Sequence, residues 1–202
     1  MSATPRWPAG RDRSRFLACA GLCVVGVLVK LPAGVAQENP GEPGPKASRL
    51  LTQLETKDPY TRQFAFLELE ALREPATAPM IRRYLDNRDP DTRAFSIRAL
   101  AAIEGPAAVP TLLERLKRER HPRVRVAAVL ALEPLQDPAI LPAFIAKLRD
   151  RNKEVRMALV DAVSRVDSQE ARAAIRLRWR RERDRDVRRV LEDAMKRVAE
   201  HG

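Results

Sequence analysis

The stretch DPDTRAFSIRAL, residues 89–100, decides the fold, because its spacing returns four more times along the chain. Its Arg93 aligns with Arg62, Arg125, Arg156 and Arg188, at successive intervals of 31, 32, 31 and 32 residues. Self-similarity at a period of this length is typical of stacked repeat architectures. We call these five residues the ladder arginines and count positions forward from each of them.

Short polar residues that suit a turn or a helix N-cap stand four residues before every ladder arginine: Asp58, Asp89, His121, Asn152 and Asp184. A proline follows the first three of them, at the first helical position, where a missing N–H costs nothing. Apolar or small residues then recur at positions 3, 7 and 10, which fall on one face of a helix. Each repeat is therefore predicted to contain an amphipathic helix that starts just before its ladder arginine.

Another helix is predicted ahead of each turn. It is the first helix of the hairpin, and the helix that carries the ladder arginine is the second helix. Prolines at matching places (Pro75, Pro106, Pro138 and Pro79, Pro110, Pro142) mark its start, and Ile81, Leu112, Phe144 and Ile175 recur inside it. In the first repeat this helix is expected at residues 48–57. A hairpin of this length cannot bury its apolar face alone, so neighbouring hairpins must stack. The predicted fold is all-α, a solenoid of about five helical hairpins and ten helices, with the second helices on the concave side.

The pattern of residues 89–100, with Ser96 in place of one alanine, resembles the short HEAT repeat and in particular the type known from phycobilisome lyases. The resemblance covers residues 48–200 and implies a HEAT-like α-solenoid. The fourth and fifth repeats depart from the pattern by losing the proline after the turn residue, at Lys153 and Arg185.

The N-terminal segment has the features of an export signal. Four arginines in residues 6–15 precede an apolar run from Phe16 to Val29, and small residues precede a cleavage site after Ala36. This arrangement predicts a secretory signal peptide over residues 1–36, because the run is shorter than the ~18–20 residues of a spanning helix. We expect a periplasmic or extracellular mature chain; an uncleaved anchor, because of Lys30, and a cytosolic chain stay open as alternatives.

Residues 37–47 are rich in proline and glycine and are predicted to be a linker, which leaves 48–202 as the repeat domain. No later segment is long and apolar enough to span a membrane, and we expect a monomer. Formal net charge is +11, and residues 1–36 hold five basic and one acidic residue, so the remainder carries +7. Arginine outnumbers lysine 31 to 7, so genomic codon bias competes with a selected basic surface as the explanation.

The ladder arginines are interpreted as structural braces that bond turn carbonyls or turn acids, with ligand contact as the alternative. His121 and His201 are the only histidines, and neither has a second ligand at helical spacing, so no metal site is expected. Cys19 and Cys23 both lie in the predicted signal. We find no phosphate loop and no catalytic constellation, and we expect no cofactor and no enzymatic activity.

Two surfaces are candidate binding sites. The concave ridge is predicted from positions 1, 5 and 8 of the second helices and includes Leu67, Arg98, Val126, Leu130 and Met157. A basic patch is predicted near the C-terminus, around Trp179, and includes Arg176, Arg178, Arg180, Arg181 and Arg183. Ordinary scatter of apolar residues is the alternative explanation for the ridge, and a solvated charge run is the alternative explanation for the patch.

The sequence favours a non-catalytic scaffold that binds a protein or peptide on its concave face. A basic solenoid that binds nucleic acid is the second hypothesis, and predicted export weighs against it. An enzyme of the phycobilisome-lyase type, implied by the resemblance alone, is the third.

Overall fold

In a computed structural model of the chain, residues 41–200 are described, with side chains to residue 197. The predicted signal peptide and His201 lie outside these residues. The described part contains no strand and folds into ten α-helices: α1 Pro45–Leu54, α2 Pro59–Leu72, α3 Ala78–Arg83, α4 Pro90–Glu104, α5 Val109–Arg118, α6 Pro122–Leu132, α7 Ile140–Lys147, α8 Lys153–Ser164, α9 Gln169–Arg181 and α10 Arg185–Glu200. The prediction of an all-α chain of five hairpins is confirmed.

The even-numbered helices are the second helices of the hairpins and carry the ladder arginines. Each of them packs along the next one, from α2 to α10, whereas the odd-numbered first helices have few contacts with one another. The row of second helices is therefore the more closely spaced row, which places it on the inner side of the stack.

Turn chemistry starts the second helices where the sequence predicts. The carboxylates of Asp58 and Asp89 accept hydrogen bonds from the backbone N–H groups of Thr61 (2.8 Å) and Thr92 (2.9 Å). Asn152 and Asp184 cap α8 and α10 in the same way, but His121 makes no capping bond to α6. Four of the five turns are therefore capped by their polar residue.

The core runs continuously between the two helix rows. Positions 3 and 7 of the second helices are buried as predicted, down to Leu191 in α10, although Met195 is only partly buried. Position 10 is less enclosed than predicted: Leu72, Ile103 and Leu135 are half-buried and Val166 is 39% exposed, because these residues lie where the second helices end.

Helix α1 differs at both ends from the predicted residues 48–57, and it ends at Leu54. Helix α1 begins at Pro45 and not at Ser48, so the last three residues of the predicted linker are helical. Proline suits the first helical position, and the preceding Gly44 N–H is held by the Glu74 carboxylate at 2.5 Å. Helix α9, which lacks both prolines, begins at Gln169, where Ser168 accepts a hydrogen bond from the Ala171 N–H at 3.1 Å.

Candidate partner-binding groove

The ladder arginines join each hairpin to the next. Arg125, which is 4% exposed, donates to the carbonyl oxygens of Glu119 (3.1 Å) and Arg120 (2.9 Å) in its own turn. It also forms a bidentate pair with Asp150 of the following turn, at 2.9 and 2.7 Å. Arg93 pairs in the same way with Glu119, and Arg156 pairs with Glu182. Each of these arginines therefore joins the backbone carbonyls of its own turn to the carboxylate of the following turn.

The first and last ladder arginines, Arg62 and Arg188, lack the bidentate acid partner of the other three, and Arg62 has only a 4.0 Å contact with the Asp89 carboxylate. The turn after Arg62 has Asn87 at the equivalent place, and the Arg62 guanidinium bonds to the Thr92 hydroxyl (3.0 Å) and the Thr56 carbonyl (2.7 Å). Within the described residues no further turn lies beyond Arg188, and its guanidinium lies over the Trp179 ring, 5.3 Å from the ring centroid.

Sequence reasoning missed the acids that complete the ladder. Each of these acids stands six residues before a ladder arginine and directly follows another arginine in the sequence. They are Glu119, Asp150 and Glu182, and their side chains are almost fully buried. Burial by itself would raise the pKa of Glu182, but hydrogen bonds from Arg178, the Asp184 N–H and Arg156 outweigh it and lower this pKa to about 2. The recurrence of these acids at repeat spacing was the available signal.

The predicted concave ridge separates into exposed and packed residues. Leu67 and Leu130, at position 5, are 37% and 53% exposed. Val126 and Met157, at position 1, are half-buried and pack against the core. These two residues are therefore less open to a partner than predicted, because neighbouring helices partly cover them. The most exposed apolar residues of the ridge are Leu67 and Leu130.

Two adjoining cavities lie at the C-terminal ends of the second helices, and we call them together the inner groove. The first has a volume of about 500 Å³, a floor of small residues from α4 (Ala101, Ala102 and Gly105), and walls that include Arg98 and Leu130. The second, of about 760 Å³, includes Glu133, Leu141, Arg165 and Val166. Pro134 lines both. Two predicted site residues, Arg98 and Leu130, thus come together in one groove.

Ion pairs border this groove. Arg98 pairs with Glu70 at 3.1 Å, and Arg165 pairs with Glu133 at 2.8 Å. Asp161 pairs with both Arg165 (2.7 Å) and Arg197 (2.9 Å). The groove therefore offers an exposed apolar strip, Leu130 and Val166, framed by charges that already balance one another. A protein surface with an apolar centre and a polar rim matches it.

The predicted basic patch is smaller than the sequence indicates. Arg176, Arg180, Arg181 and Arg183 are exposed. Arg178, in contrast, donates from its Nε to the buried Glu182 carboxylate at 3.1 Å, so its charge is neutralised inside the stack. Trp179 packs against the core, as its place in the repeat predicts.

His121 is the histidine that lies within the described residues. His121 lies in the turn before α6, and its buried Nδ1 has no hydrogen-bond partner. Within residues 41–197 no three His, Cys, Asp or Glu side chains come together as a metal site would require. No helix in the described part of the chain has the length and apolarity needed to span a bilayer.

Comparison with known families assigns the class of protein. A family model of HEAT repeats matches residues 47–133 and 109–196, which together cover most of the chain. The chain therefore belongs to the HEAT-repeat family. A comparison with curated protein sequences gave no significant match.

Among the solved structures that resemble the chain is the complex of CpcE and CpcF of phycocyanin lyase from Nostoc sp. PCC7120. The two chains are 23% identical with a TM-score of 0.62, and the match covers 73% of this chain and 96% of that one. The predicted resemblance to repeats of the phycobilisome-lyase type is confirmed at the level of the fold.

This neighbour corrects one prediction. Because the sequence carries no familiar catalytic motif, we predicted that the protein has no enzymatic activity. That prediction is wrong, because the absence of a motif does not support it. A chain with this fold is part of a lyase, so the absence of a familiar motif from a HEAT-repeat sequence does not exclude catalysis.

Proposed function

We propose that this chain is a HEAT-repeat scaffold that binds a protein segment in its inner groove. The observation that carries the proposal is Leu130, which is 53% exposed in the middle of the inner helix row and forms part of the groove wall. An isolated solenoid gains nothing from a large apolar side chain there, whereas a partner that covers it removes the apolar surface from water.

The surroundings of Leu130 favour a protein partner. The small residues of α4 leave room for an inserted side chain, and the cavity of about 500 Å³ continues past Pro134 into the second one. Four of the rim charges are paired with one another, Arg98 with Glu70 and Arg165 with Glu133, so the rim can exclude wrong partners without attracting a highly charged one. An extended or helical segment with apolar side chains fits these features.

Site-specific photocrosslinking in the producing cells tests this proposal. A photoreactive amino acid replaces Leu130 in one variant and Leu177, 45% exposed on the outer helix α9, in the matched control. We expect a discrete crosslinked protein from position 130 and none from position 177. No adduct from position 130, or the same adducts from both positions, would refute the groove.

A lyase-like role is the second candidate, supported by the fold shared with the phycocyanin lyase complex. It requires the groove to accept a chromophore as well as a protein. The test is an absorbance titration of the purified chain with an open-chain tetrapyrrole. A shifted and saturable band that disappears in Leu130→Glu supports this candidate, and an unshifted spectrum removes it.

We further propose that the chain acts outside the cytoplasm, as the basic and apolar pattern of residues 1–36 suggests. N-terminal sequencing of the protein from its native cells tests this. A mature N-terminus at Gln37 supports export with cleavage, and an intact N-terminus recovered from the cytosolic fraction contradicts it.

A further inference from the structure

Three consecutive turns of the solenoid carry the same triplet, an arginine, an acid and an arginine. The triplets are Arg118-Glu119-Arg120, Arg149-Asp150-Arg151 and Arg181-Glu182-Arg183, between the first and second helices of the third, fourth and fifth hairpins. All six arginines are exposed. We call these six side chains the triplet edge.

The acid of each triplet does not neutralise its neighbours. Glu119, Asp150 and Glu182 point into the stack, where they pair with the ladder arginines Arg93, Arg125 and Arg156 at 3.0, 2.7 and 2.9 Å. Of the triplet edge, Arg118 pairs with the exposed Glu114. The other five arginines form no ion pair with any side chain in residues 41–197; Arg151 donates only to the Arg120 carbonyl, at 3.2 Å.

The positive charge is confined to the last three hairpins. The corresponding turns of the first two hairpins read Glu55-Thr56-Lys57 and Asp86-Asn87-Arg88, in which an exposed acid replaces the first arginine. Between the third and fourth turns lies a cavity of about 450 Å³, whose lining includes Arg120, Lys147, Arg149 and Arg151, and also Glu119, Asp150 and Arg125. The two carboxylates are paired with ladder arginines, so the other four cations border a space large enough for a phosphate group.

We infer that the triplet edge binds the phosphate groups of an anionic phospholipid surface. Helix pairs stack about 8–10 Å apart, so the three turns form a strip of cations that one flat surface can contact at once. Clusters of four to eight basic side chains bind anionic headgroups through such contacts. None of the exposed large apolar or aromatic side chains lies in the three turns, so the attachment is electrostatic and peripheral.

Nucleic acid fits the same surface less well. A single strand is held partly by stacking on aromatic side chains, and the triplet turns contain none. A duplex is a cylinder that a concave basic surface would enclose, but the charges of the inner groove are paired with one another. The cations of the triplet edge lie instead on exposed turns between the first and second helices, outside the inner groove, where a flat surface can reach them. The predicted export would also place the chain beside a membrane.

Vesicle co-sedimentation of the full chain tests the inference. The probes are vesicles of mixed phosphatidylglycerol and phosphatidylcholine, and vesicles of phosphatidylcholine alone. The test variant is R120E/R151E/R183E, whose side chains are not part of the ladder. The control is R49E/R83E/R189E, three exposed arginines outside the triplet edge and the basic patch, with the same change in charge. The apolar run of residues 16–29 is common to all three proteins, so differences between them report the edge.

We expect the wild type to partition onto the anionic vesicles, less so as salt rises, and the test variant to lose at least about 100-fold in partitioning. The control variant should retain most of the binding. An equal loss in both variants would assign the effect to net charge and overturn the inference. Binding to a DNA duplex but not to anionic vesicles would overturn it too.

Discussion

Arg125 is the most deeply buried ladder arginine, and its guanidinium joins two hairpins through Asp150. Removing one partner of a buried pair strands the other charge, which typically costs about 3–5 kcal/mol. We therefore predict that Arg125→Met lowers the free energy of unfolding by about 3 kcal/mol or more, measured by urea denaturation. Arg188→Met is the control: it removes only the contact with Trp179 and should cost about 1 kcal/mol. Equal losses in both variants would contradict the brace.

The buried Glu182 carboxylate should make the stability of the fold depend on pH in the acid range. Its pKa of about 2 in the folded chain lies below the ordinary value of 4.5, so it stabilises the fold above the unfolded-state pKa, and this stabilisation is lost as pH falls from about 5 to 2. The difference corresponds to about 3 kcal/mol. Glu182→Gln should flatten the dependence of the free energy of unfolding on pH in this range, whereas the exposed Glu192→Gln should not. Identical curves for both variants would show that Glu182 does not carry the effect.

At the scale of the element, α6 differs from the other four second helices because its turn residue does not cap it. His121 makes no capping bond, while Asp and Asn at the equivalent turns do. A good N-cap is worth about 1 kcal/mol, so His121→Asp should raise the free energy of unfolding by about that amount. His121→Ala is the control, because it removes the same buried Nδ1 without adding a cap. If both variants change stability alike, the cap is not the cause.

At the scale of the whole molecule, the sequence predicts the stack of hairpins because the turn residue, the ladder arginine and the apolar positions recur with the same period. The same recurrence predicts the inner row of second helices. It does not separate Leu130 from Val126, because both lie on the ridge of an isolated helix, and only the packing of neighbouring helices partly covers Val126. The inner groove was beyond prediction because its volume depends on how the second helices end. The Arg125–Asp150 pair spans two hairpins, so the arginine alone does not reveal it.

The claim at the centre of this account, that a protein segment occupies the inner groove, is tested most directly by an affinity measurement. The protein crosslinked at position 130 would be purified and titrated calorimetrically against wild type, Leu130→Glu and Leu177→Glu. We predict that Leu130→Glu weakens binding by about 30-fold or more, as for a central interface residue, with unchanged helicity. Leu177→Glu should bind like the wild type. Retained affinity in Leu130→Glu, or an equal loss in Leu177→Glu, would contradict the groove as the binding site.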